Sequence, residues 1–229
     1  MKKIPKQNKT MMKKKEIMKT EIILKEGYPF IISSGALFIL SLLFHFNAFW
    51  QILFFVIFAF FVYFFRNPER IPEDESKGAI ISPSDGEIIE ICEEIAPIVN
   101  EEMIKISIKL SIFDVHIQRS PIEGEITAKE YIHGLFLALG NKKASELNEQ
   151  HRVLFTNTSK VIVNQIAGFI TRRIVDFGLF GRVKLGERYG MIMFGSQVDL
   201  YVPKNAKIKV TEFQKVKAGE SLIGFLHEG

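Results

Sequence analysis

The chain has 229 residues, 47% of them hydrophobic, and a formal net charge of +4, which fits one globular domain plus a membrane anchor, or a single larger domain. Residues 1–27 hold nine lysines and three glutamates, a net charge of +6, and leave −2 for the rest of the chain. Because the basic charge belongs to this tail, it gives no indication of nucleic-acid binding. Cys92 is the only cysteine, which excludes an intrachain disulfide and a metal site built on several thiolates.

The tail is followed by an apolar segment, residues 27–65, that contains no Asp, Glu, Lys or Arg. As one straight helix it would extend about 58 Å, nearly twice the roughly 30 Å hydrocarbon core of a bilayer. We therefore expect a helical hairpin over residues 28–65, with its turn at residues 45–47. Two buried helices of a soluble core are the alternative.

Positive charge flanks the apolar segment on both sides. The lysines of residues 1–27 favour a position next to anionic lipid head groups, with a solvated, disordered tail as the alternative. Arg66 and Arg70 follow the segment, and we expect both among lipid phosphates. By the positive-inside rule, the tail and the rest of the chain lie on the cytoplasmic side of the cell (inner) membrane. Whether the hairpin spans the bilayer or enters one leaflet stays open at this point.

Pro68 and Pro72 mark a linker, residues 66–78, and the composition then becomes that of a β-rich domain, residues 79–229. Alternating apolar residues and turn residues define its elements. The predicted elements are a strand, turn and strand over 79–91, a half-buried strand over 103–112, a strand over 125–132, a short surface helix over 141–152, a hairpin of 153–155 with 161–166, and two strands over 191–194 and 198–202.

A short sequence repeats within this domain: VKLGE at 183–187 returns as VKAGE at 216–220, each time before an apolar strand. Two copies are too few for a solenoid. They predict two similar turns in a pseudo-symmetric β-sandwich of the biotinyl and lipoyl kind. The predicted fold class is therefore mainly β (α+β), a biotinyl/lipoyl-like β-sandwich preceded by an apolar helical hairpin.

The pair Gly195-Ser196 lies between two predicted strands, without Pro, Asn or Asp beside it, and has a chemical interpretation besides an ordinary turn. In a strained peptide the Ser196 hydroxyl can attack the Gly195 carbonyl, since glycine permits both the geometry and the approach. The amide becomes an ester, and elimination then cuts the chain and leaves a dehydroalanine, which hydrolyses with loss of ammonia to a pyruvoyl group. Ser196 needs a base, and His116, just past the strand predicted over 103–112, is a candidate.

The segment GERYGMIMFGSQVDLYVP, residues 186–203, closely resembles the self-cleavage region of phosphatidylserine decarboxylase proenzymes of the short prokaryotic type. The resemblance extends over nearly all of the chain beyond the first 25 or so residues. It includes, in the family's order, FFRNPER at 64–70, SPSDG at 82–86, FDVHIQRSP at 113–121, KASELNE at 143–149 and QIAG at 165–168.

The resemblance implies a pyruvoyl-dependent enzyme that decarboxylates phosphatidylserine to phosphatidylethanolamine and CO2 in phospholipid biosynthesis, through a Schiff base with the substrate amine. Self-cleavage at Gly195-Ser196 would give a β chain, residues 1–195, and an α chain, residues 196–229, which form a heterodimer; further dimerisation stays open. The cofactor would be the pyruvoyl group made from Ser196, with no metal. The partners would be phosphatidylserine and membrane lipids, with no nucleic acid.

The same resemblance identifies His116 as the base and Asp85 as the residue that orients it. Asp114 is a rival for the orienting role, because residues two apart in an extended segment share a face. Two positions depart from the family: Gln150 replaces an arginine that is common after Asn-Glu, and Phe113 stands where longer members have a second histidine. Anion binding at residue 150 and the proton donor after decarboxylation therefore stay unassigned.

Other interpretations stay open from the sequence alone. Arg119 and the arginines at 172 and 173 could bind the lipid phosphate or carboxylate, or be structural. The substrate could be an ether lipid of the archaetidylserine type, with the same head group. In a different class, the chain could be a non-catalytic membrane adaptor or carrier with a biotinyl-like domain, although residues 188–215 offer neither a modifiable lysine at a hairpin tip nor a long helical hairpin.

Overall fold

The computed structural model describes residues 21–135, 137, 147–168, 173–193 and 196–227, with only the backbone of Ser196. Contacts between residues divide the chain into two units, residues 1–69 and 70–229. The division falls within the predicted linker, residues 66–78.

The described part of the first unit contains two α-helices, α1 (Tyr28–Leu43) and α2 (Ala48–Phe64). Between them, His45 adopts a left-handed backbone conformation with φ of 51°. Asn47 caps α2, because its side-chain oxygen accepts a hydrogen bond from the Trp50 amide at 3.3 Å. The helices and the turn between them lie where the apolar segment predicts them.

The two helices pack through aromatic rings and expose much of their remaining apolar surface. The ring centroids of Phe38 and Phe55 are 5.4 Å apart, and Gly35 lies against the ring of Phe58. The segment Lys25–Leu43 is long and apolar enough to cross a membrane, whereas α2 has 17 residues. Because large apolar side chains on both helices face solvent, the soluble-core alternative fits poorly, and the unit suits association with a membrane.

The second unit is built from fourteen described strands. They are β1 (Ala79–Ile81), β2 (Gly86–Ala96), β3 (Glu101–Lys109), β4 (Ile117–Arg119), β5 (Gly124–Ile132), β6 (Gln150–Thr156), β7 (Lys160–Ala167), β8 (Ile174–Asp176), β9 (Gly181–Val183), β10 (Arg188–Ile192), β11 (Ser196–Pro203), β12 (Lys207–Ile208), β13 (Lys215–Val216) and β14 (Leu222–Phe225).

These strands form one large sheet and two small ones, all with antiparallel neighbours. The large sheet has the order β13-β2-β3-β11-β7-β6-β5-β9, and the small sheets are β4-β10-β8 and β1-β14-β12. The rings of Phe155 in β6 and Tyr189 in β10 meet at 5.2 Å, so the sheet β4-β10-β8 packs on one face of the large sheet. The predicted fold class, mainly β with an apolar helical N-terminus, is confirmed.

Two sequence predictions are wrong in detail. The strand over 103–112 is observed as β3, but its polar face is partly buried: Lys105 and Ser107 on that face are buried, and Lys105 pairs with Glu94 and, at 3.2 Å, with Glu90. The surface helix over 141–152 is replaced at 150–152 by the start of β6, where Arg152 pairs with Glu130 at 3.0 Å. Residues 141–146 of that predicted helix lie outside the described residues.

The repeated sequence forms two equivalent turns, as predicted. Gly186 and Gly219 both have φ of 72°, a left-handed value that favours glycine. In each turn the residue after the glycine donates its amide to the lysine two positions before the glycine, at 3.1 Å. The glycine amides donate to equivalent serines, Gly186 to Ser120 at 3.0 Å and Gly219 to Ser82 at 2.8 Å. The turns also meet, since a Cβ on Gly186 would lie 3.6 Å from the Gly219 carbonyl oxygen.

The equivalence continues into the small sheets. The first turn leads into β10, which pairs with β4, and the second leads into β14, which pairs with β1. Just beyond these pairs, the Ile192 amide donates to the His116 carbonyl at 3.1 Å, and the Leu226 amide donates to the Gly78 carbonyl at 2.8 Å. The predicted base, His116, and Gly78 therefore occupy equivalent positions in the two halves.

Two glycines with positive φ provide a matched test of this fold. At Gly86, with φ of 145°, a Cβ would lie 2.4 Å from the Lys109 carbonyl oxygen, whereas at Gly181, with φ of 77°, it would meet nothing within 4 Å. We expect Gly181→Ala to lower the free energy of unfolding by about 1 kcal/mol and Gly86→Ala by about 3 kcal/mol, because there the backbone must move. Both losses are measured by urea unfolding of the full chain in detergent. Each variant also carries Ser196→Ala, so that the chain is not cut. Equal losses would contradict the close approach of β2 and β3.

Candidate active site

Ser196 is the first residue of β11, which is the fourth of the eight strands of the large sheet. It pairs with Ala167 of β7, and the next residue, Gln197, pairs with Lys109 of β3 and with Ile166. The predicted scissile peptide begins at Gly195, which lies outside the described residues. The α-chain side of that peptide is therefore held between two neighbouring strands.

The chain just before the predicted cut runs along His116. Ile192 donates its amide to the His116 carbonyl at 3.1 Å, and Met193 donates its amide to the Arg173 carbonyl at 3.1 Å. His116 precedes β4 and is fully buried. The structure thus brings the predicted base to a segment that ends three residues before Ser196.

The His116 ring has a defined orientation. Its Nδ1 lies 2.9 Å from the carbonyl oxygen of Asp114, which can only accept a hydrogen bond. In the neutral ring, Nδ1 therefore carries the proton and Nε2 carries the lone pair that a general base needs. Asp114, the rival orienter, holds the ring through its backbone, since its carboxylate accepts the Ser111 amide at 2.7 Å.

Asp85 reaches the residue before His116. Its carboxylate is buried and accepts three hydrogen bonds, from Arg70 Nη2 at 2.9 Å, from the Val115 amide at 3.2 Å and from the Ala218 amide at 2.8 Å. It therefore fixes the backbone that carries His116, and its role as orienter stays a prediction. Because Ala218 lies after Ser196, the same carboxylate also joins the two predicted chains.

Arg70 is a member of this site that the sequence interpretation missed. Its side chain is only 10% exposed and pairs with Asp85, with Glu220 3.8 Å away. The expectation that Arg70 sits among lipid phosphates is wrong, because a buried guanidinium of this kind is committed to its carboxylate. Arg119 is also structural: it is buried and donates to the Gly186 carbonyl at 3.3 Å.

Asn148 supports the other side of β11. Its Nδ2 donates to the carbonyl of Ala167, the residue paired with Ser196, at 2.8 Å, and to the carbonyl of Leu137 at 2.9 Å. Its Oδ1 accepts the Leu137 amide at 2.7 Å. In the sequence, Asn148 stands out only as part of the motif KASELNE. No local pattern predicts its bonds, because Leu137 and Ala167 belong to other segments of the chain.

Buried polar groups lie on both faces of the sheet around β11. On the core face, which packs against the sheet β4-β10-β8, His151 Nδ1 lies 2.7 Å from Gln165 Oε1. Burial lowers the pKa of this imidazole, although its hydrogen bond to Gln165 acts to raise it. On the opposite face, burial raises the pKa of Asp199, although the hydrogen bond from Gln197 at 2.8 Å and the charge of Lys105 oppose the rise. Burial would lower the pKa of Lys105, but its ion pairs with glutamates outweigh that effect and raise it. Among the described residues, no group of three or more His, Cys, Asp or Glu could hold a metal ion.

Comparisons with known proteins show the family of the chain. A family model described as phosphatidylserine decarboxylase matches residues 57–224. The phosphatidylserine decarboxylase proenzyme of Geotalea uraniireducens is 40% identical over 211 residues, which cover 89% of this chain and 96% of that protein. The proenzymes of Carboxydothermus hydrogenoformans and Burkholderia multivorans are 42% and 38% identical over 214 residues, covering 89% and 90% of this chain and 96% and 97% of theirs. These relatives are named as enzymes, which favours the enzymatic over the adaptor interpretation.

Arg70 allows a direct test of the Asp85 cluster. Arg70→Gln leaves a buried carboxylate without its cation, so we expect the free energy of unfolding to fall by about 3–5 kcal/mol. Lys160→Gln removes the exposed ion pair of Lys160 with Glu101 and should cost less than about 1 kcal/mol. Urea unfolding in the Ser196→Ala background measures both losses.

The rate of self-cleavage gives a second measurement. In the chain that keeps Ser196, cutting should slow with Arg70→Gln and recover in part with Arg70→Lys. Similar stabilities for Arg70→Gln and Lys160→Gln would contradict the cluster's importance.

Proposed function

Since the chain belongs to the phosphatidylserine decarboxylase family, we propose that it decarboxylates phosphatidylserine to phosphatidylethanolamine and CO2 after cutting itself at Gly195-Ser196. The observation that carries the proposal is the position of His116. It is buried, presents Nε2 as its basic nitrogen, and is hydrogen-bonded through its carbonyl to the strand that leads to the cut.

The cut would begin with proton transfer from the Ser196 hydroxyl to His116 Nε2. The hydroxyl oxygen bonds to the Gly195 carbonyl carbon, His116 returns the proton to the amide nitrogen, the C–N bond breaks, and the Ser196 amine is released as the ester forms. Loss of the Ser196 Cα proton then expels Gly195 as a carboxylate and leaves a dehydroalanine. One water replaces its nitrogen, which leaves as ammonia, and a pyruvoyl group begins the α chain.

The fold would hold the new N-terminus in place after the cut. β11 stays paired with β3 and β7, and β14 stays paired with β1, so the α chain is bonded to the β chain in two sheets. The Asp85 carboxylate adds a link to the Ala218 amide at 2.8 Å. These contacts support a stable heterodimer and a site able to hold a pyruvoyl group at residue 196.

The pyruvoyl carbonyl supplies an electron sink, since it condenses with a primary amine and accepts the electrons released as CO2 leaves. The chain's own part is to bind and orient the substrate and to move protons. With Nδ1 held by Asp114, His116 can accept or return a proton only through Nε2. The apolar first unit supports a site at the cell membrane. Lys25, before α1, and Arg66, after α2, favour the cytoplasmic side for both ends of the hairpin.

Self-cleavage is the first test. The purified chain should separate on a denaturing gel into residues 1–195 and 196–229, with an intact mass that shows a pyruvoyl group on the shorter piece. Ser196→Ala should abolish cutting. His116→Ala should slow it by about 10²–10⁴-fold, the usual contribution of a general base. His227→Ala, at an exposed position near the C-terminus, is the control. An uncut, fully folded chain, or normal cutting in His116→Ala, would overturn the assignment.

Decarboxylation is the second test. The cut enzyme in detergent should release labelled CO2 from phosphatidylserine that carries the label in its serine carboxyl group. Borohydride added with substrate should stop the reaction and add the mass of the lipid to the α chain, because reduction fixes an amine joined to a carbonyl. Borohydride is added to the Ser196→Ala chain as a control, and no lipid should be attached. CO2 release that survives reduction would argue against a pyruvoyl centre.

A further inference from the structure

Five large apolar side chains are exposed at the end of the large sheet where Ser196 lies. β3 reaches this end at Lys109, which pairs with the residue after Ser196, and β5 reaches it at Ile132, which pairs with Gln150 of β6. The connections that leave these strand ends carry the five side chains, which we call the rim: Ile112, Phe113, Leu135, Leu137 and Leu147. We propose that the rim is a lipid-docking surface of the catalytic unit, separate from the helical hairpin.

The first half of the rim is a rigid turn joined to the predicted base. The Asp114 amide donates to the Ser111 carbonyl at 2.9 Å, and the Asp114 carboxylate accepts the Ser111 amide at 2.7 Å. This closed turn exposes Phe113 by 60% and Ile112 by 38%. The carbonyl of Asp114 also accepts the hydrogen bond of His116 Nδ1, so the turn lies next to the predicted base, while the side chains of Ile112 and Phe113 face solvent.

The second half of the rim is joined to the strand beside Ser196. Leu135 and Leu147 are linked by an amide-to-carbonyl hydrogen bond of 2.7 Å and are about half exposed, at 54% and 50%. Asn148, the next residue, bonds Leu137 on one side and the Ala167 carbonyl on the other. The two halves of the rim are therefore fixed on the two sides of the site rather than placed on unconstrained loops.

A lipid surface fits this rim better than a protein does. The inference rests on the proposed function, in which the substrate head group must reach Ser196 while its acyl chains stay in an apolar phase. Apolar side chains at the mouth of the site would give those chains a continuous apolar path. Two exposed cations lie at the same end, Lys109 at the end of β3 and Arg173 beside Met193, and they complement anionic head groups.

Fluorescence quenching tests docking without any need for activity. The full chain with Trp50→Phe, which removes the only tryptophan, carries either Phe113→Trp or Phe180→Trp. Phe180 is the matched control, since it is 55% exposed and precedes β9 at the other end of the sheet. In vesicles of phosphatidylglycerol and phosphatidylcholine with brominated acyl chains, we expect the tryptophan at 113 to be quenched at least about twofold more than that at 180. Equal quenching would overturn the proposal.

Turnover separates docking from chemistry. The double variant Ile112→Ser, Phe113→Ser should cut itself normally and lose about tenfold in kcat/KM on phosphatidylserine in vesicles, with less than about twofold change on a monodisperse short-chain phosphatidylserine. Phe180→Ser should match the parent on both. Equal losses on the two substrates would make these residues part of the reaction site and overturn the proposal. A changed oligomeric state without a vesicle-specific loss would assign the rim to a second copy of the chain.

If neither substrate releases CO2, the proposed function fails, and quenching still decides whether the rim docks.

Discussion

The buried carboxylate of Asp85 is the interaction on which the candidate site depends. It accepts one charged and two backbone hydrogen bonds, from Arg70, Val115 and Ala218. A buried carboxylate is costly unless its oxygens are satisfied, so these three donors together stabilise the folded unit. They come from the start of the catalytic unit, from the loop that carries the base, and from the segment after Ser196. Folding and assembly of the site are therefore coupled through a single side chain.

The large sheet extends this coupling, because polar groups are buried on both of its faces around β11. Gln165 and His151 lie on the core side, and Asp199 and Lys105 lie on the other. Unlike apolar contacts, hydrogen bonds between buried groups tolerate little displacement. Residue 196 begins a strand that is paired through its backbone with a strand on each side, β3 and β7. Such a strand suits a chemistry in which a backbone carbonyl and a hydroxyl must meet at one geometry.

Much of the fold followed from local patterns. The apolar hairpin follows from the length of an uncharged apolar segment. The strand at 125–132, the hairpin of β6 and β7, and the repeated turns follow from short-range patterns and from glycines with positive φ. The candidate site was predictable only through recognisable motifs around Ser196, His116 and Asp85. The partners of those residues were not, because Arg70 and Asn148 act across 15 and 19 positions of sequence, to Asp85 and Ala167. The burial of Lys105 was missed for a related reason: alternation tells which face a residue is on, but not what lies against that face.

The two equivalent halves of the second unit would have different fates after the proposed cut. The half that contains His116 and β10 lies entirely upstream of residue 196. Its twin, in which Gly78 stands at the position of His116, combines β1 from one product with β14 from the other. Under the proposed function, one of the two equivalent halves would carry the base, while the other would join the two products through strand pairing. Together with β11, which pairs with β3 and β7, this second half would keep the two products joined after the proposed cut.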